Sequence, residues 1–223
     1  RIASEHGHLV WRTLRDNVLT GMSHGAAGIA LALLKLYQVS GEPELMAGAK
    51  EAIGFERSVY SPADKNWPDF RTAPPAYMCS WCHGAVGIGL ARLAGLDVLD
   101  DEAVRADVGR ALESARAEPV HGVDHVCCGS FGHVELFLDA GVRLDRPDLE
   151  ELARRRAASA MRRAGSESAY TLFAGLPRTL RHPGFFQGLA GIGYQLLRLR
   201  SPRLLPSVLQ LAPPVTCARA SSR

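Results

Sequence analysis

The chain has 223 residues, of which 47% are hydrophobic and 22% charged, and its formal net charge is +3. These values are typical of one globular domain with a well-buried core. The longest apolar runs are too short and too interrupted to span a bilayer, and no leader sequence precedes the first helical pattern, so we expect no membrane span and a cytoplasmic location. Basic residues are interspersed with acidic ones, so we expect no nucleic-acid partner.

An internal repeat organises the chain. One glycine-rich phrase occurs four times, with its first glycine at Gly25, Gly84, Gly129 and Gly188. After each phrase comes an apolar stretch that predicts a buried helix, and these stretches are 30–37, 90–96, 134–140 and 194–199. More polar segments between them predict amphipathic helices near 43–58, 101–118 and 146–164. Strand patterns are sparse, so the sequence predicts an all-α fold in which buried and amphipathic helices form a closed double ring.

Two segments between and after these helices are expected to be irregular. The stretch 61–75 is long enough for a functional loop. Within it, Asp69 and Arg71 either orient a peptide or pair with each other at the surface, and the sequence leaves both alternatives open. The proline-rich end of the chain predicts a disordered tail over 215–223.

The cysteines indicate metal chemistry. Their number is five, which is odd, and the chain lacks secretory features, so a disulfide framework is not expected. Cys82, His83, Cys127 and Cys128 cluster beside glycines at predicted helix starts, where the helix dipole favours a thiolate. Three such ligands with an exchangeable fourth position would form a catalytic zinc site. Cys79 is better explained as a small apolar filler, despite its CxxC spacing to Cys82.

Two further residues stand out by their position. His24 occupies in its repeat the place that His83 and Cys128 occupy in theirs, and an imidazole exchanges protons near neutral pH. We therefore predict His24 as the catalytic acid and base. Trp81 directly precedes Cys82, and it either packs in the core or contacts the substrate.

Taken together, the motifs resemble one family. The phrases SHGAAGIALALL, NWPD, WCHGAVGIGLARL, GVDHVCCGSFG and PGFFQGLAGIGYQLLRL occur in this order, and they resemble the lanthionine synthetase cyclase family. The Cys-Cys-Gly form and the closing PSVLQLAPP are most similar to the cyclase half of type II lanthipeptide synthetases. The resemblance runs from Thr20 to about Pro214 and predicts a cyclase domain over 1–214.

The resemblance implies an α/α toroid that holds one Zn²⁺. The partner would be a dehydrated precursor peptide, whose cysteine thiolate adds to dehydroalanine or dehydrobutyrine to form a lanthionine or methyllanthionine thioether. Carried over by position, the zinc ligands are Cys82, Cys127 and Cys128, and His24 is the acid and base. His83 lies beside the ligands and, with Trp81, is expected to contact them or the substrate. Many relatives have a histidine at the position of Cys128, so a third thiolate replaces an imidazole here.

The chain also departs from the family pattern. Only four repeats of the phrase are present, whereas relatives carry more repeats and an upstream dehydratase half. The resemblance therefore implies the C-terminal portion of a synthetase, with those parts as its partners, and such a fragment need not be active alone. The alternative is a non-catalytic zinc-containing helical module that binds thiol peptides. A sugar-processing α/α barrel is a third interpretation, but no pair of acidic residues lies in the inner-helix phrases.

Overall fold

The structure, a computed structural model, describes residues 2–3, 6–119 and 122–214. These residues form seven α-helices and one antiparallel strand pair, Ile2–Ala3 (β1) with Leu9–Val10 (β2). The predicted all-α class is confirmed. The helices are Ala26–Ser40 (α1), Pro43–Ser58 (α2), Ala85–Gly95 (α3), Glu102–Ala117 (α4), Ser130–Arg143 (α5), Pro147–Ser166 (α6) and Leu189–Arg200 (α7).

The helices alternate between two layers. Helices α1, α3, α5 and α7 lie side by side as an inner row, and α2, α4 and α6 each pack against the inner helix that precedes them. Every residue of α3 is buried, whereas α4 buries one face only. This is the arrangement that the repeat predicts, because an apolar helix needs neighbours on all sides and an amphipathic helix needs them on one.

The inner helices begin earlier than the apolar pattern predicts. Each starts directly after the first glycine of its phrase, so the phrase supplies the first helical turn. Gly84 has a φ of +82°, and a Cβ there would lie 1.7 Å from the carbonyl oxygen of Met78. A Cβ at Gly87 would lie 1.9 Å from the carbonyl oxygen of Trp81. Glycine thus lets the first helical turn pack closely against the preceding loop. The pattern of apolar residues does not predict a helix at these positions.

A buried ion-pair network joins α2, α3 and α4. Arg92, 2% exposed, donates to Glu56 at 2.7 Å and to Asp107 at 3.3 Å. Glu56 also accepts from the backbone N–H of Gly21 at 2.9 Å, which fixes the loop before His24. Burial raises the pKa of Glu56, although Arg92 opposes that shift. The network therefore connects the inner helix α3 and the outer helices α2 and α4 to the loop before α1.

The segment after α7 packs back onto the inner row. The indole N–H of Trp81 donates to the carbonyl of Leu209 at 3.0 Å. The side-chain amide of Gln210 donates to the carbonyl of Leu90 at 3.0 Å and to Asp139 at 2.8 Å. The predicted disordered tail, residues 215–223, lies outside the described residues, so the domain end at 214 stays a prediction.

The two ends of the inner row expose apolar side chains. Val39 of α1 is 89% exposed and Leu197 of α7 is 61% exposed. Within the described residues, α3 and α5 have an inner helix on both sides, whereas α1 and α7 have one on a single side. None of the described helices is both long and apolar enough to cross a bilayer.

The glycine contacts make a stability prediction. Gly84→Ala should lower the free energy of unfolding by about 3 kcal/mol or more, because the new Cβ would collide with backbone and the φ is unfavourable. Gly109→Ala is the matched control: Gly109 is exposed within α4, a Cβ there would meet no atom within 4 Å, and the change should stabilise by about 0.5–1 kcal/mol. Urea unfolding followed by circular dichroism measures both. Equal midpoints for Gly84→Ala and the parent would contradict this account.

Candidate metal centre

Backbone hydrogen bonds join the loops that precede the inner helices. The carbonyl of Cys82 accepts from the N–H of Ser23, in the loop before α1, at 3.2 Å. The carbonyl of Cys127, before α5, accepts from the N–H groups of Trp81 and Cys82 at 2.9 and 3.4 Å. Cys127 in turn donates its N–H to the carbonyl of Phe186 at 2.9 Å. Equivalent positions of successive repeats are thereby held side by side.

This register brings three thiols together. The Sγ atoms of Cys82, Cys127 and Cys128 all lie within 4.8 Å of one another. Cys128 Sγ is 3.2 Å from Cys82 Sγ and 3.4 Å from Cys127 Sγ. Cys82 is buried, and the other two are half-buried. The three residues predicted as ligands therefore converge on one point, although their role as ligands stays a prediction.

The thiols share negative charge unequally. Hydrogen bonds from Cys127 and Cys128 lower the pKa of Cys82 to about 2. The hydrogen bond with Cys128 raises the pKa of Cys127 far above its ordinary value. For Cys128, the hydrogen bond with Cys127 lowers the pKa, but the bond with Cys82 and burial outweigh it and raise the pKa to about 11. Three adjacent thiolates repel one another, so a divalent cation is what would allow all three to ionise.

The cluster has a composition that suits zinc, and its sulfur atoms are close enough together to bind one ion. Zn²⁺ binds thiolates at about 2.3 Å with tetrahedral geometry, which separates its sulfur ligands by roughly 3.8 Å. The observed separations of 3.2 and 3.4 Å approach that value. Three thiolates leave a fourth position for an exchangeable ligand. The residues present therefore fit a zinc ion.

Polar groups contact two of the three cysteines, as the polar groups around metal sites typically do. The hydroxyl of Ser80 lies 3.3 Å from Cys82 Sγ. Nδ1 of the buried His125 accepts from the backbone N–H of Cys128 at 3.2 Å. Neither residue was predicted from the sequence. For His125 the signal was its position three residues before Cys128, whereas no sequence pattern marked Ser80.

The two histidines predicted at the site lie close together beside Cys82. The ring centroids of His24 and His83 are 6.0 Å apart. His24 is exposed, whereas His83 is 1% exposed, and its Nδ1 lies 3.8 Å from an Asp69 carboxylate oxygen. Burial lowers the pKa of His83. The imidazole of His24 is thus open to solvent, and the buried ring of His83 lies beside it.

Asp69 and Arg71 pair with each other in the long loop. The guanidinium of Arg71 donates twice from Nε and once from Nη2 to the Asp69 carboxylate, at distances of 2.6–3.0 Å. Asn66, in the same loop, accepts from the N–H of Ala85 at 3.0 Å and so caps α3. Its amide donates to the carbonyl of Met78 at 3.1 Å. The loop therefore positions the start of α3, which directly follows the Cys82 segment.

The side chains of Trp81 and Cys79 are not part of the three-thiol cluster. Trp81 stacks on Phe186 with ring centroids 4.8 Å apart, in addition to its bond to Leu209. These contacts are core packing, and a substrate contact for Trp81 stays a prediction. Burial raises the pKa of Cys79 to about 12, and Cys79 does not belong to the three-thiol group. Both facts agree with the interpretation of Cys79 as an apolar filler.

The family assignment agrees with this architecture. Residues 4–210 match the model of the family described as "Lanthionine synthetase C-like protein". The chain therefore belongs to the lanthionine synthetase C-like family, and the resemblance found in the sequence is confirmed.

Two known proteins show how far the similarity extends. Over 80 residues the chain is 31% identical to the lacticin 481/lactococcin biosynthesis protein LcnDR2 of Lactococcus lactis subsp. lactis, a match that covers 36% of this chain and 8% of that protein. Nisin cyclase has a similar structure, with a TM-score of 0.57 and 18% sequence identity over 83% of this chain and 47% of that chain. The chain thus spans about half the length of nisin cyclase, and it shares the α/α toroid fold with that protein.

The site makes a prediction about metal content. Zinc-loaded parent protein should contain one zinc per chain, and Cys82→Ala, Cys127→Ala and Cys128→Ala should each lose it, because two thiolates do not retain the ion. Cys79→Ala is the matched control, and it should keep the zinc because Cys79 lies outside the cluster. Elemental analysis after gel filtration measures the content. Zinc retained in all four variants would contradict the assignment.

Proposed function

We propose that this chain is a zinc-dependent lanthipeptide cyclase domain. It joins a cysteine of a dehydrated precursor peptide to dehydroalanine or dehydrobutyrine and so forms lanthionine or methyllanthionine. The observation that carries the proposal is the convergence of Cys82, Cys127 and Cys128 at one point, next to the exposed His24. Membership of the lanthionine synthetase C-like family and the fold shared with nisin cyclase support it.

The proposed reaction has three parts: activation of the substrate thiol, formation of the carbon–sulfur bond, and protonation of the α-carbon. Cys82, Cys127 and Cys128 would hold the zinc ion, which would supply the Lewis acidity that lowers the pKa of a substrate thiol, so that the substrate reacts as a thiolate. The thiolate forms a bond to the β-carbon of the dehydro residue, and the π electrons of the double bond move to the amide oxygen. The α-carbon of the resulting enolate then takes a proton. In the net reaction, the proton of the thiol ends on that carbon, and no oxidant or reductant is consumed.

His24 is the proposed carrier of this proton. Its loop is fixed by Ser23, whose N–H and hydroxyl both donate to the carbonyl of Cys82, at 3.2 and 3.4 Å. Thr13 also donates a hydroxyl hydrogen bond to the carbonyl of His24 at 2.5 Å. The backbone of His24 is therefore held beside the cluster, while its imidazole remains exposed to an incoming peptide.

A His24→Asn variant tests this role. It should slow ring closure by roughly 10²–10⁴-fold, the usual contribution of a general acid or base, with zinc content unchanged. His8→Asn is the control, because His8 lies 3.3 Å from Glu51 of α2 and belongs to no part of the site. Initial rates of cyclisation are the measurement. Parental rates in His24→Asn would assign the proton transfer to another group or to water.

The decisive experiment is a cyclisation assay with the zinc-loaded chain. A dehydrated peptide containing one cysteine is incubated with the protein, and remaining free thiol is alkylated and quantified by mass spectrometry, since cyclisation itself leaves the mass unchanged. Because such peptides also cyclise spontaneously, Cys82→Ala serves as the reference. The parent should be faster than Cys82→Ala. Equal rates, with zinc and peptide both bound by the parent, would instead favour the thiol-peptide binding module.

The free thiols indicate the kind of cellular compartment in which the protein would act. All four cysteines that the structure describes are unpaired. A site built from three thiols requires a reducing environment, because oxidation would convert its ligands to disulfides. The proposed cyclase therefore acts in the cytoplasm.

A further inference from the structure

The buried carboxylate of Asp69 fixes the orientation of Arg71. Asp69 is 3% exposed, and its backbone is paired with Ala76 across the loop. Arg71 donates its own backbone N–H to Asp69 Oδ1 at 3.1 Å, in addition to the guanidinium bonds. Burial acts to raise the pKa of Asp69, but hydrogen bonds from Arg71 outweigh it and hold that pKa below its ordinary value. A planar guanidinium held at several points by a fixed carboxylate has little freedom to rotate.

This pair contacts the segment of the chain that carries Cys82. Nη2 of Arg71 is 3.3 Å from the sulfur of Met78, four residues before Cys82. Asp69 approaches His83, the residue after Cys82, to 3.8 Å. The bonds to Asp69 raise the pKa of Arg71, and the negative charges of Cys82 and Cys128 raise it further. Arg71 is thus a fixed cation beside the reacting centre.

One side of the guanidinium is open to a ligand. Its hydrogen bonds to other described residues use Nε and Nη2, which leaves the N–H groups of Nη1 available. Arg71 and Thr72 line a cleft of about 290 Å³, whose other wall is Leu14, Arg15 and Asn17. That wall continues from Thr13, the residue that holds the His24 backbone. A peptide in this cleft would therefore lie between Arg71 and residues 14–17, which directly follow the residue that holds the His24 backbone.

The chemistry of the proposed reaction requires a cation at such a place. When the carbon–sulfur bond forms, negative charge develops on the amide oxygen of the dehydro residue. Preoriented donors aimed at developing charge are among the largest contributions to catalysis. We propose, on the basis of the function proposed above, that Arg71 is a catalytic residue whose Nη1 donates to this oxygen and stabilises the enolate until it is protonated. Asp69 is its positioning residue.

Kinetics of Arg71 variants test the assignment. Arg71→Gln should reduce kcat by roughly 10²–10³-fold, as for loss of an oxyanion donor, while KM and zinc content stay near parental values. Arg71→Lys should restore part of the rate, because it keeps the charge beside Asp69. Arg146→Gln is the matched control: Arg146 pairs with Asp148 two residues away, through two bonds of 2.7 Å, at the start of α6. It should cyclise at the parental rate.

A binding experiment without turnover gives an independent readout. β-Mercaptopropionate has the same order of atoms, sulfur to oxygen, as the enolate, and its carboxylate carries the negative charge. Ethanethiol lacks that group. Calorimetry on the zinc-loaded parent should show preference for β-mercaptopropionate over ethanethiol by about tenfold or more, as expected for a charge-assisted hydrogen bond. Arg71→Gln should abolish the preference, and Arg146→Gln should keep it.

The outcomes separate this inference from the function on which it rests. An unchanged preference in Arg71→Gln, or an unchanged kcat in that variant, would overturn the role of Arg71 while leaving the cyclase intact. A drop in kcat that appears equally in Arg146→Gln would also overturn it, because the effect would then not be specific to the site. A zinc-loaded parent that binds neither thiol would contradict the cyclase function itself, and the role of Arg71 with it.

Discussion

Backbone hydrogen bonds between successive loops are the interaction on which this structure depends. The carbonyl of one loop accepts from N–H groups of the loop before it, as at Cys82 and Cys127. These bonds form only if each inner helix starts close against its own loop, which requires glycine at positions such as Gly84 and Gly87. One geometric rule, repeated along the chain, therefore aligns the inner helices and places equivalent residues of adjacent repeats next to each other.

The site follows from this alignment. Because Cys82 and Cys127 hold equivalent positions in neighbouring repeats, their thiols lie together without any special loop. Cys128, one residue further on, completes a set of three soft sulfur donors that could hold a metal ion. The loop 61–75 adds what the repeat does not supply, a buried carboxylate that holds Arg71 beside the Cys82 segment. The row of inner helices thus positions the three thiols, and the loop positions a charged pair next to them.

The sequence identified the thiol cluster better than its surroundings. A thiol has few alternative roles in a chain without disulfides, so Cys82, Cys127 and Cys128 were recognisable from residue type and repeat position. The sequence named the pairing of Asp69 with Arg71 only as one of two alternatives, because a loop without periodicity does not indicate which of its possible contacts form. The helix starts were placed too late for a related reason: glycine weakens the helix signal, and tertiary contacts that glycine alone permits override it.

The sequence by itself determined the all-α class, the alternation of buried and amphipathic helices and the kinds of ligand available. Those features depend on local periodicity and side-chain chemistry, which act over a few residues. Only the tertiary structure decided which groups meet. Cys82 and Cys128 are separated by 46 positions, and their contact exists because backbone bonds fix the register between two loops. The orientation of Arg71 was decided in the same way. Its guanidinium is held by the carboxylate of Asp69, which is itself fixed because it is buried.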